Sequence, residues 1–474
     1  MKKALIFMIF LVCVIISGFS QTSNIWTVNN MATWIEAVNG IRSGGNNKEY
    51  MIIVNGNVSI PASNDNTFGS NTNITISLEG NGTLSLSANG NLLFIGTDQT
   101  IIAKDLTLQG NANNTSAVVN IKSKGTFYME GAVEVTGNKG NGVNIEPNYR
   151  NSATFIMNGG SISGNNGYGV AIDRYGSGTF TMNSGTISSN AKSGVHLNSE
   201  GIKTFIMNDG TISNNTGNGV EIHYGNLGKI TFTMRGGNIS DNRNGGIHND
   251  DGVITMYGGT IANNSARNGG GVNNNGTFTM HGGTISNNSA NNGGGVINTD
   301  TFTMHSGTIS NNTANYGGGV CISRGTFSMR GNSSITGNNA RNSGGGVYLG
   351  SANSTNYIRY ILIIEEDALL FGNTAHNAGG GVYISDNRGT FIMRGGTLSN
   401  NISSNQGGGV YNGGNFTKLN GIIYGNDEIQ ELRNIANSMK GHAVYQSNNG
   451  GWRNATAKST MNTDSYGFWL NEEE

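Results

Sequence analysis

Proline and cysteine are nearly absent from this chain of 474 residues, which has 2 of each. So little proline beside 76 glycines, without a strict three-residue period, excludes a collagen-like triple helix. Charged residues make up only 12%, and 27 basic against 28 acidic residues give a net charge of −1. No basic field therefore favours a nucleic-acid partner. Hydrophobic residues, at 35%, are too many for a fully disordered chain.

The N-terminal segment, residues 1–20, has the pattern of a secretory signal peptide. Two lysines precede an apolar run from Ala4 to Ile16, and small residues lead to an expected cleavage point after Ser20. The run is too short to span a membrane comfortably, and we predict no transmembrane segment after cleavage. The protein is expected to be exported, either secreted or held at a bacterial cell surface or outer membrane. The exported chain keeps only Cys321, which excludes an intramolecular disulfide.

A unit of about 25 residues recurs along most of the chain, a period typical of stacked architectures. Each unit contains a Phe-x-Met segment, a Thr-Ile-Ser segment and a Gly-Val-x-Ile segment, as in residues 301–322. Their two-residue period and short length predict three β-strands separated by glycine or asparagine turns. Three strands per unit predict one coil of a solenoid, right-handed because parallel crossovers are right-handed. The predicted fold is all-β, a right-handed single-stranded parallel β-helix.

One asparagine per unit follows the aliphatic residue of the second strand at a fixed spacing. Its amide both donates and accepts, so stacked copies can hydrogen-bond from coil to coil as an inward structural ladder. Asparagine also tolerates the left-handed backbone of a sharp corner. Ligand binding along the whole length explains this regularity less well. The predicted ladder is Asn111, Asn138, Asn165, Asn190, Asn215, Asn242, Asn264, Asn288, Asn312, Asn338, Asn373, Asn401 and Asn426.

The ends of the chain differ from the repeats. Residues 31–38 form an amphipathic pattern that predicts a short capping helix, since a solenoid must cover its exposed ends. The predicted organisation is a signal peptide at 1–20, an N-terminal cap and irregular coils at 21–100, a regular β-helix at 101–450 and a C-terminal cap or tail at 451–474. Two insertions, 351–357 and 427–436, are either binding loops or tolerated surface insertions. The second insertion is predicted to form one or two helical turns.

Stacking should align the outward residues of the third strand into columns, because side chains alternate along a strand. One face of four coils then carries ionisable groups close enough to share a proton or a divalent ion, unless they form a solvated polar face. No metal-ligand motif with tight local spacing accompanies them, so we predict no metal and no other cofactor. The candidate binding residues in this group are His196, Glu221, His223 and His248.

The same column later carries Tyr348, Tyr383 and Tyr411, and Tyr445 extends it. Exposed aromatic rings in a row would form a platform for sugar rings or for a partner protein. Cross-strand stacking that simply stabilises an exposed sheet face explains the row equally well.

The Phe-x-Met and Gly-Gly-Gly-Val units resemble the repeats of bacterial polymorphic outer-membrane proteins. Over roughly residues 100–450 the chain resembles the right-handed parallel β-helix proteins of the pectin-lyase-like superfamily. The resemblance implies the fold but not one function, because the superfamily includes polysaccharide lyases, hydrolases, adhesins and passenger domains. Polymorphic outer-membrane proteins carry a C-terminal membrane barrel, for which residues 452–474 are too few. We therefore expect no anchoring by that route.

The resemblance also implies where catalysis would lie. Pectin-hydrolysing relatives use Asn-Thr-Asp, Asp-Asp and Gly-His-Gly motifs in that order, and here Asp250 and Asp251 precede the Asn-Thr-Asp motif that ends at Asp300. Because these motifs do not occur here in the order found in the relatives, we favour a non-catalytic protein that presents an elongated face for adhesion or for recognition of a glycan or cell-surface protein. The alternative is a polysaccharide-active enzyme, a glycoside hydrolase or lyase, that uses these three aspartates.

Overall fold

The computed structural model describes most of the repeat region and parts of the C-terminal tail. The described residues are 24–173, 175–198, 200–223, 229–350, 358–426, 429–447, 452–453, 455–458, 461–464 and 467–470. The predicted signal peptide and the insertion at 351–357 lie outside the described residues.

The chain forms a right-handed parallel β-helix of about 15 turns with about 26 residues each, which confirms the predicted fold class. Each turn contributes three strands, and each strand pairs in parallel with its counterpart one turn later. Phe278 lies beside Phe302, for example, and Phe302 lies beside Phe327. Identical positions of successive repeats therefore become neighbours in space.

The first strands of successive turns form one face of the β-helix, and the second strands form the next face. Because several strands run from the first face into the second, both faces belong to one 29-stranded sheet. The strands confined to the first face are Ile25–Val28, Glu49–Val54, Ile74–Glu79, Gln99–Lys104, Thr126–Glu130, Ser152–Met157, Ser177–Met182, Ile202–Met207, Lys229–Met234, Val253–Met256, Thr277–Met280 and Tyr360–Ile364. Those confined to the second face are Asn57–Ile60, Thr83–Leu86, Thr107–Gln109, Glu134–Thr136, Ser161–Ser163, Thr186–Ser188, Thr211–Ser213, Asn238–Ser240, Thr260–Ala262, Thr284–Ser286 and Leu369–Phe371. The continuous strands are Thr301–Ser310, Gly325–Thr336, Gly389–Ser399 and Asn415–Ile423, and the C-terminal strands Met461–Asp464 and Gly467–Leu470 complete the sheet.

The third strands form a separate 15-stranded sheet, and the later turns add a small 5-stranded sheet between the second and third strands. The third strands are Leu93–Ile95, Val119–Lys122, Val143–Glu146, Val170–Ile172, Val195–Leu197, Val220–Ile222, Ile247–Asn249, Val272–Asn274, Val296–Asn298, Val320–Ile322, Val347–Leu349, Val382–Ile384, Val410–Asn412 and Val444–Gln446. The fifteenth strand of this sheet, Trp452–Arg453, pairs antiparallel with Val444–Gln446. The small sheet consists of Thr313–Tyr316, Asn339–Ser343, Thr374–Ala375, Ile402–Ser403 and Ile435–Ala436.

The core is a set of parallel side-chain stacks. The phenylalanine and methionine of each Phe-x-Met strand point inward, and the residue between them points outward. Ring centroids of Phe278 and Phe302 are 4.8 Å apart, and those of Phe302 and Phe327 are 4.4 Å apart. All three rings are fully buried. Burial of each such side chain contributes about 1.5–3 kcal/mol, so repetition of one strand pattern stabilises the whole rod.

The asparagine ladder runs along the interior edge of the second strands. From Asn111 to Asn401, the backbone N–H of each ladder asparagine donates to the side-chain oxygen of the next one. From Asn165 onward the side-chain amide also donates to that oxygen. The carboxamides thus join every turn to the next.

Two details of the predicted ladder were wrong. Asn426 is exposed, and Asn434 accepts the bonds from Asn401 in its place. The insertion between them postpones the corner, so the asparagine that directly precedes Ile435–Ala436 occupies the ladder position. The left-handed residue is not the ladder asparagine but the one before it, as at Asn311 with φ 56°. Asparagine therefore occurs at the ladder position because of its side-chain hydrogen bonds and not because of its backbone conformation.

The glycine triplets before the third strands serve two purposes. The first glycine of a triplet, such as Gly293 with φ 63°, adopts the left-handed conformation predicted for a corner. The third, such as Gly295, lies directly against the backbone of the following turn, where a side chain would collide. This close packing explains why the triplet recurs.

Different structures cover the two ends. The helix Met31–Gly44 begins with a capping box between Asn30 and Thr33 and buries Trp34 and Ile41, which confirms a capping helix longer than the predicted 31–38. At the other end, Trp452–Arg453, Met461–Asp464 and Gly467–Leu470 pair in antiparallel orientation. This change of direction interrupts the parallel edge that another chain would extend. The second insertion contains a 3-10 helix, Gln430–Leu432.

Lys203 is a charged residue at an inward position of the first face and is fully buried. Its ammonium donates to the carbonyl oxygens of Tyr175 at 3.2 Å and Gly176 at 2.9 Å. Burial lowers the pKa of Lys203 from 10.5 to about 8, although the charges of Asp173 and Glu200 oppose the change. Folding therefore disfavours the protonated lysine.

Replacement of Lys203 by isoleucine, which the next turn carries at the paired position Ile230, is expected to stabilise the protein by about 1–2 kcal/mol at pH 7. The unfolded chain holds the proton up to a higher pH, so the parent should gain stability as the pH rises from about 8 towards 10.5. Thermal unfolding across this range should show that gain in the parent and not in Lys203→Ile. A variant with a lower melting temperature than the parent at pH 7 would contradict the prediction.

Candidate binding face on the third sheet

The outward residues of the third strands form one continuous column. Strand pairing places the following residues side by side: Asn144, Ala171, His196, Glu221, His248, Asn273, Ile297, Cys321, Tyr348, Tyr383, Tyr411 and Tyr445. A second column alongside it contains His223 and Asp250, whose backbone N–H groups bond to the preceding turn. The face divides into a histidine cluster, a groove and a tyrosine stack.

The histidine cluster comprises His196, Glu221, His223, His248 and Asp250, and Glu221 lies at its centre. Its Oε2 is 3.4 Å from His196 Nδ1, and its Oε1 is 3.2 Å from His223 Nε2. The hydroxyl of Ser193 donates to Oε2 at 2.7 Å. The two imidazoles thus lie on either side of one carboxylate.

The second half of the cluster is built on Asp250. Its Oδ1 lies 2.9 Å from His248 Nε2, and its Oδ2 lies 3.9 Å from His223 Nδ1. The amides of Asn273 and Asn275 complete this half, the first contacting His248 Nδ1 at 3.1 Å and the second donating to Asp250 Oδ1 at 3.3 Å. The structure therefore brings together all four ionisable residues proposed for binding, and with them Asp250, which the sequence pattern places on the same face.

The cluster favours ionised carboxylates. Burial alone would raise the pKa of Glu221, but contacts with His196 and Ser193 and the charges of the two imidazoles hold that pKa at about 2. The hydrogen bond between His248 and Asp250 raises the pKa of the histidine and lowers that of the aspartate. A cluster with two ionised carboxylates attracts cations.

The tyrosine stack consists of Tyr348, Tyr383, Tyr411 and Tyr445. Successive ring centroids are 5.3, 4.6 and 5.3 Å apart, with interplanar angles of 4°, 10° and 25°. Each ring is half-buried. Because the rings cover one another's faces, the stack presents edges and hydroxyls to solvent and not the flat platform that the row of tyrosines suggests.

A groove of about 280 Å³ lies where the column changes from the histidine cluster to the tyrosine stack. Its base contains the smaller side chains Ile297 and Cys321, and Tyr348 and Tyr316 border one side. Tyr383 stacks on one face of Tyr348, and the ring of Tyr316 lies tilted against Tyr348 with centroids 5.1 Å apart and an interplanar angle of 52°, so the two rings together form the aromatic side of the groove. The remaining lining residues are polar and uncharged: Asn268, Asn273, Asn275, Asn292, Thr299, Ser323 and Gly350.

Several polar groups of the groove already have partners, which fixes their orientation. Asn292 donates to Asn268 at 2.9 Å, and Thr299 donates to Asn275 at 2.7 Å. Among the described residues, no hydrogen bond engages the amide oxygens of Asn273 and Asn292 or the hydroxyl of Tyr348. These groups can therefore bind the hydroxyls of a ligand.

The aspartates of the enzymatic alternative are not gathered around this groove. Asp250 is held by His248, whereas Asp251 and Asp300 are exposed on turns separated by the turn that contains Gly276. Cys321 is fully buried, and this burial raises the pKa of its thiol to about 12. A protonated, inaccessible thiol is a poor nucleophile.

Sequence reasoning identified the column but missed the groove and the burial of His196. The available signal was side-chain size, because Ile297 and Cys321 directly precede a row of larger tyrosines. A second interior ladder was also missed: Asn249 donates to Asn274 and Asn274 donates to Asn298, both at 2.8 Å. These asparagines occupy the inward position that holds isoleucine in other turns.

No family model, no curated protein and no solved structure matches this chain. Within the ranges that the structure describes, no helix is long and apolar enough to cross a membrane. The ligands of the face must therefore be inferred from its own geometry.

Proposed function

We propose that this chain is an exported, non-catalytic β-helix that recognises neutral glycans at the groove beside Tyr348. The N-terminal signal pattern supports export to the medium or to a bacterial cell surface. The Phe-x-Met and Gly-Gly-Gly-Val units support a distant relationship to the pectin-lyase-like superfamily and to polymorphic outer-membrane repeats. The observation that carries the functional proposal is the groove, which combines one aromatic face with oriented amides and hydroxyls.

This combination suits a sugar ring. A pyranose presents an apolar face of C–H groups, which packs on an aromatic ring, and a rim of hydroxyls, which requires oriented polar partners. Tyr348 and Tyr316 supply the aromatic surface, and the amide oxygens of Asn273 and Asn292 supply acceptors. Among the residues that the structure describes, no charged side chain lines the groove, which favours a neutral sugar over a uronic acid.

The size of the groove limits what it can hold. Its volume of about 280 Å³ is at the lower end of typical ligand pockets, so it suits a short segment or one end of a glycan. The tyrosine stack forms a rigid wall behind it, because each ring is held between neighbours.

Tyr348→Ala is expected to weaken glycan binding at least tenfold, because it removes the aromatic face of the groove and disturbs the adjoining ring. A glycan array with the purified protein would identify a neutral ligand, and isothermal titration calorimetry would then compare the variants. Tyr411→Ala is the matched control, since this ring lies in the same stack but does not line the groove. Equal loss in both variants, or no loss in Tyr348→Ala, would refute the assignment of the groove.

The same preparation tests the enzymatic alternative. Asp251 and Asp300 lie two turns apart, so their backbones are separated by roughly 9.6 Å, a spacing compatible with an inverting carboxylate pair. Release of new reducing ends from a polysaccharide by the parent, abolished in Asp251→Asn and in Asp300→Asn, would favour that alternative. Glycan binding without turnover would favour recognition.

A further inference from the structure

We propose that His196, Glu221 and His223 form a binding site for one divalent transition-metal ion of the zinc class. One ligand atom from each of the three residues lies within 4.8 Å of the others. The proposal concerns a different part of the face from the groove and does not depend on glycan binding.

The most informative atom is Nδ1 of His196. The side chain is only 10% exposed, and this nitrogen has no hydrogen-bond partner among the described residues although it faces Glu221 Oε2 at 3.4 Å. The ring lies flat against Tyr168, with centroids 4.1 Å apart and an interplanar angle of 9°. This long contact with the carboxylate leaves a buried nitrogen poorly satisfied, and a metal ion between the two atoms would bind both.

The distances suit a small coordination sphere. Zinc bonds to histidine nitrogen and carboxylate oxygen at about 2.0–2.1 Å, so adjacent ligand atoms of a tetrahedral site are about 3.3 Å apart. The two histidine–glutamate contacts measure 3.4 Å to Oε2 and 3.2 Å to Oε1 of the same carboxylate, and one ligand atom from each of the three residues lies within 4.8 Å of the others. Small side-chain rotations would therefore place the three ligand atoms around one ion without moving the backbone.

The surrounding residues are arranged as an outer shell. Metal-binding histidines usually direct their second nitrogen to a carboxylate, which fixes the ring orientation. His223 directs Nδ1 towards Asp250 at 3.9 Å, and His248 holds Asp250 in turn. Ser193 fixes the carboxylate of Glu221 through its hydrogen bond of 2.7 Å.

The ligand set also restricts the ion and leaves it accessible. Two imidazoles and one carboxylate suit zinc, nickel or copper, whereas calcium and magnesium prefer oxygen ligands throughout. An open surface depression bordered by Tyr168, Lys192, Asn218 and Glu221 leads to the cluster. Three protein ligands leave a fourth position for water or a ligand side chain.

Zinc chloride titrated into the metal-stripped full chain should show one saturable site per chain by calorimetry, and cobalt should give the visible absorption of a tetrahedral complex. His196→Ala and the isosteric Glu221→Gln are expected to weaken zinc binding at least tenfold and to abolish the cobalt spectrum. His305→Ala is the matched control: His305 stacks on His281 and contacts Arg330, so its loss should leave binding unchanged.

Circular dichroism of each variant would establish that it is folded before the titration. No saturable zinc binding by the parent would overturn the proposal. Zinc binding that survives Glu221→Gln and His196→Ala with unchanged affinity would overturn it as well. Glycan binding is measured separately, so failure of the metal site leaves the proposed function open to its own test.

Discussion

Gly295→Ala is expected to destabilise the rod by about 3 kcal/mol or more, because the new methyl group would overlap the next turn. A Cβ at this position would lie 2.6 Å from the carbonyl oxygen of Gly319, 2.7 Å from Cγ2 of Ile309 and 3.0 Å from Nδ2 of Asn312. The oxygen cannot easily move, since it accepts hydrogen bonds from the backbone of Gly295 and of Val296. Relief would require two turns to separate locally.

Thermal unfolding and limited proteolysis should therefore show a lower melting temperature and new cleavage near the altered turn. Gly372→Asn provides the matched control, because Gly372 has φ 65° and a Cβ at its position would come no closer than 4.0 Å to a neighbouring atom. Other turns carry asparagine at the same left-handed position, as at Asn311 and Asn400. This substitution should be nearly neutral. Equal stability of Gly295→Ala and the parent would show that the turns are more compliant than their packing indicates.

The repeat allowed the fold to be predicted from sequence because a fixed period specifies contacts between distant residues. Once Phe278, Phe302 and Phe327 share a position in the repeat, their stacking follows from parallel pairing. The outward column of the third strand followed from the same periodicity. The repeat could not predict where a turn departs from the regular pattern. Because of the insertion, Asn434 and not Asn426 occupies the ladder position after Asn401.

The chemistry of the binding face was less predictable, because it depends on side-chain orientation. The tyrosines occupy the predicted column, yet their rings stack on one another, and only Tyr348 of the stack lines the groove, where Tyr316 packs against it. His196 occupies an outward position but is buried by Tyr168, which comes from the preceding turn. Spacing indicates which side of a strand a residue lies on; it does not indicate which neighbouring ring will cover it.

The other large effect is expected from Asn288→Ala, which would interrupt the ladder in the middle of the rod. Asn288 Oδ1 accepts from the backbone N–H of Asn264 at 2.9 Å and from its side-chain amide at 3.1 Å. Its own amide donates to the carbonyl of Ile261 at 2.9 Å and to Asn312 Oδ1 at 3.0 Å. All these groups are in the interior, where each lost partner costs about 1–3 kcal/mol, so a total loss of about 3 kcal/mol is expected.

Hydrogen exchange would locate this loss, because the amides of the two flanking turns should exchange faster while distant turns remain protected. Asn183→Ala is the matched control: Asn183 also bonds to an asparagine one turn away, at 2.7 Å, but on the exposed surface, so its removal should have little effect. Asn288→Asp should cost more than Asn288→Ala near neutral pH, since it buries a negative charge and places a carboxylate oxygen against two other acceptors, the carbonyl of Ile261 and Oδ1 of Asn312. The loss of stability in Asn288→Asp should be smaller in acid, where the protonated carboxyl group has one hydrogen-bond donor again. If Asn288→Ala and Asn183→Ala lowered the stability equally, the buried ladder would contribute no more to holding the turns together than the exposed asparagine contacts do.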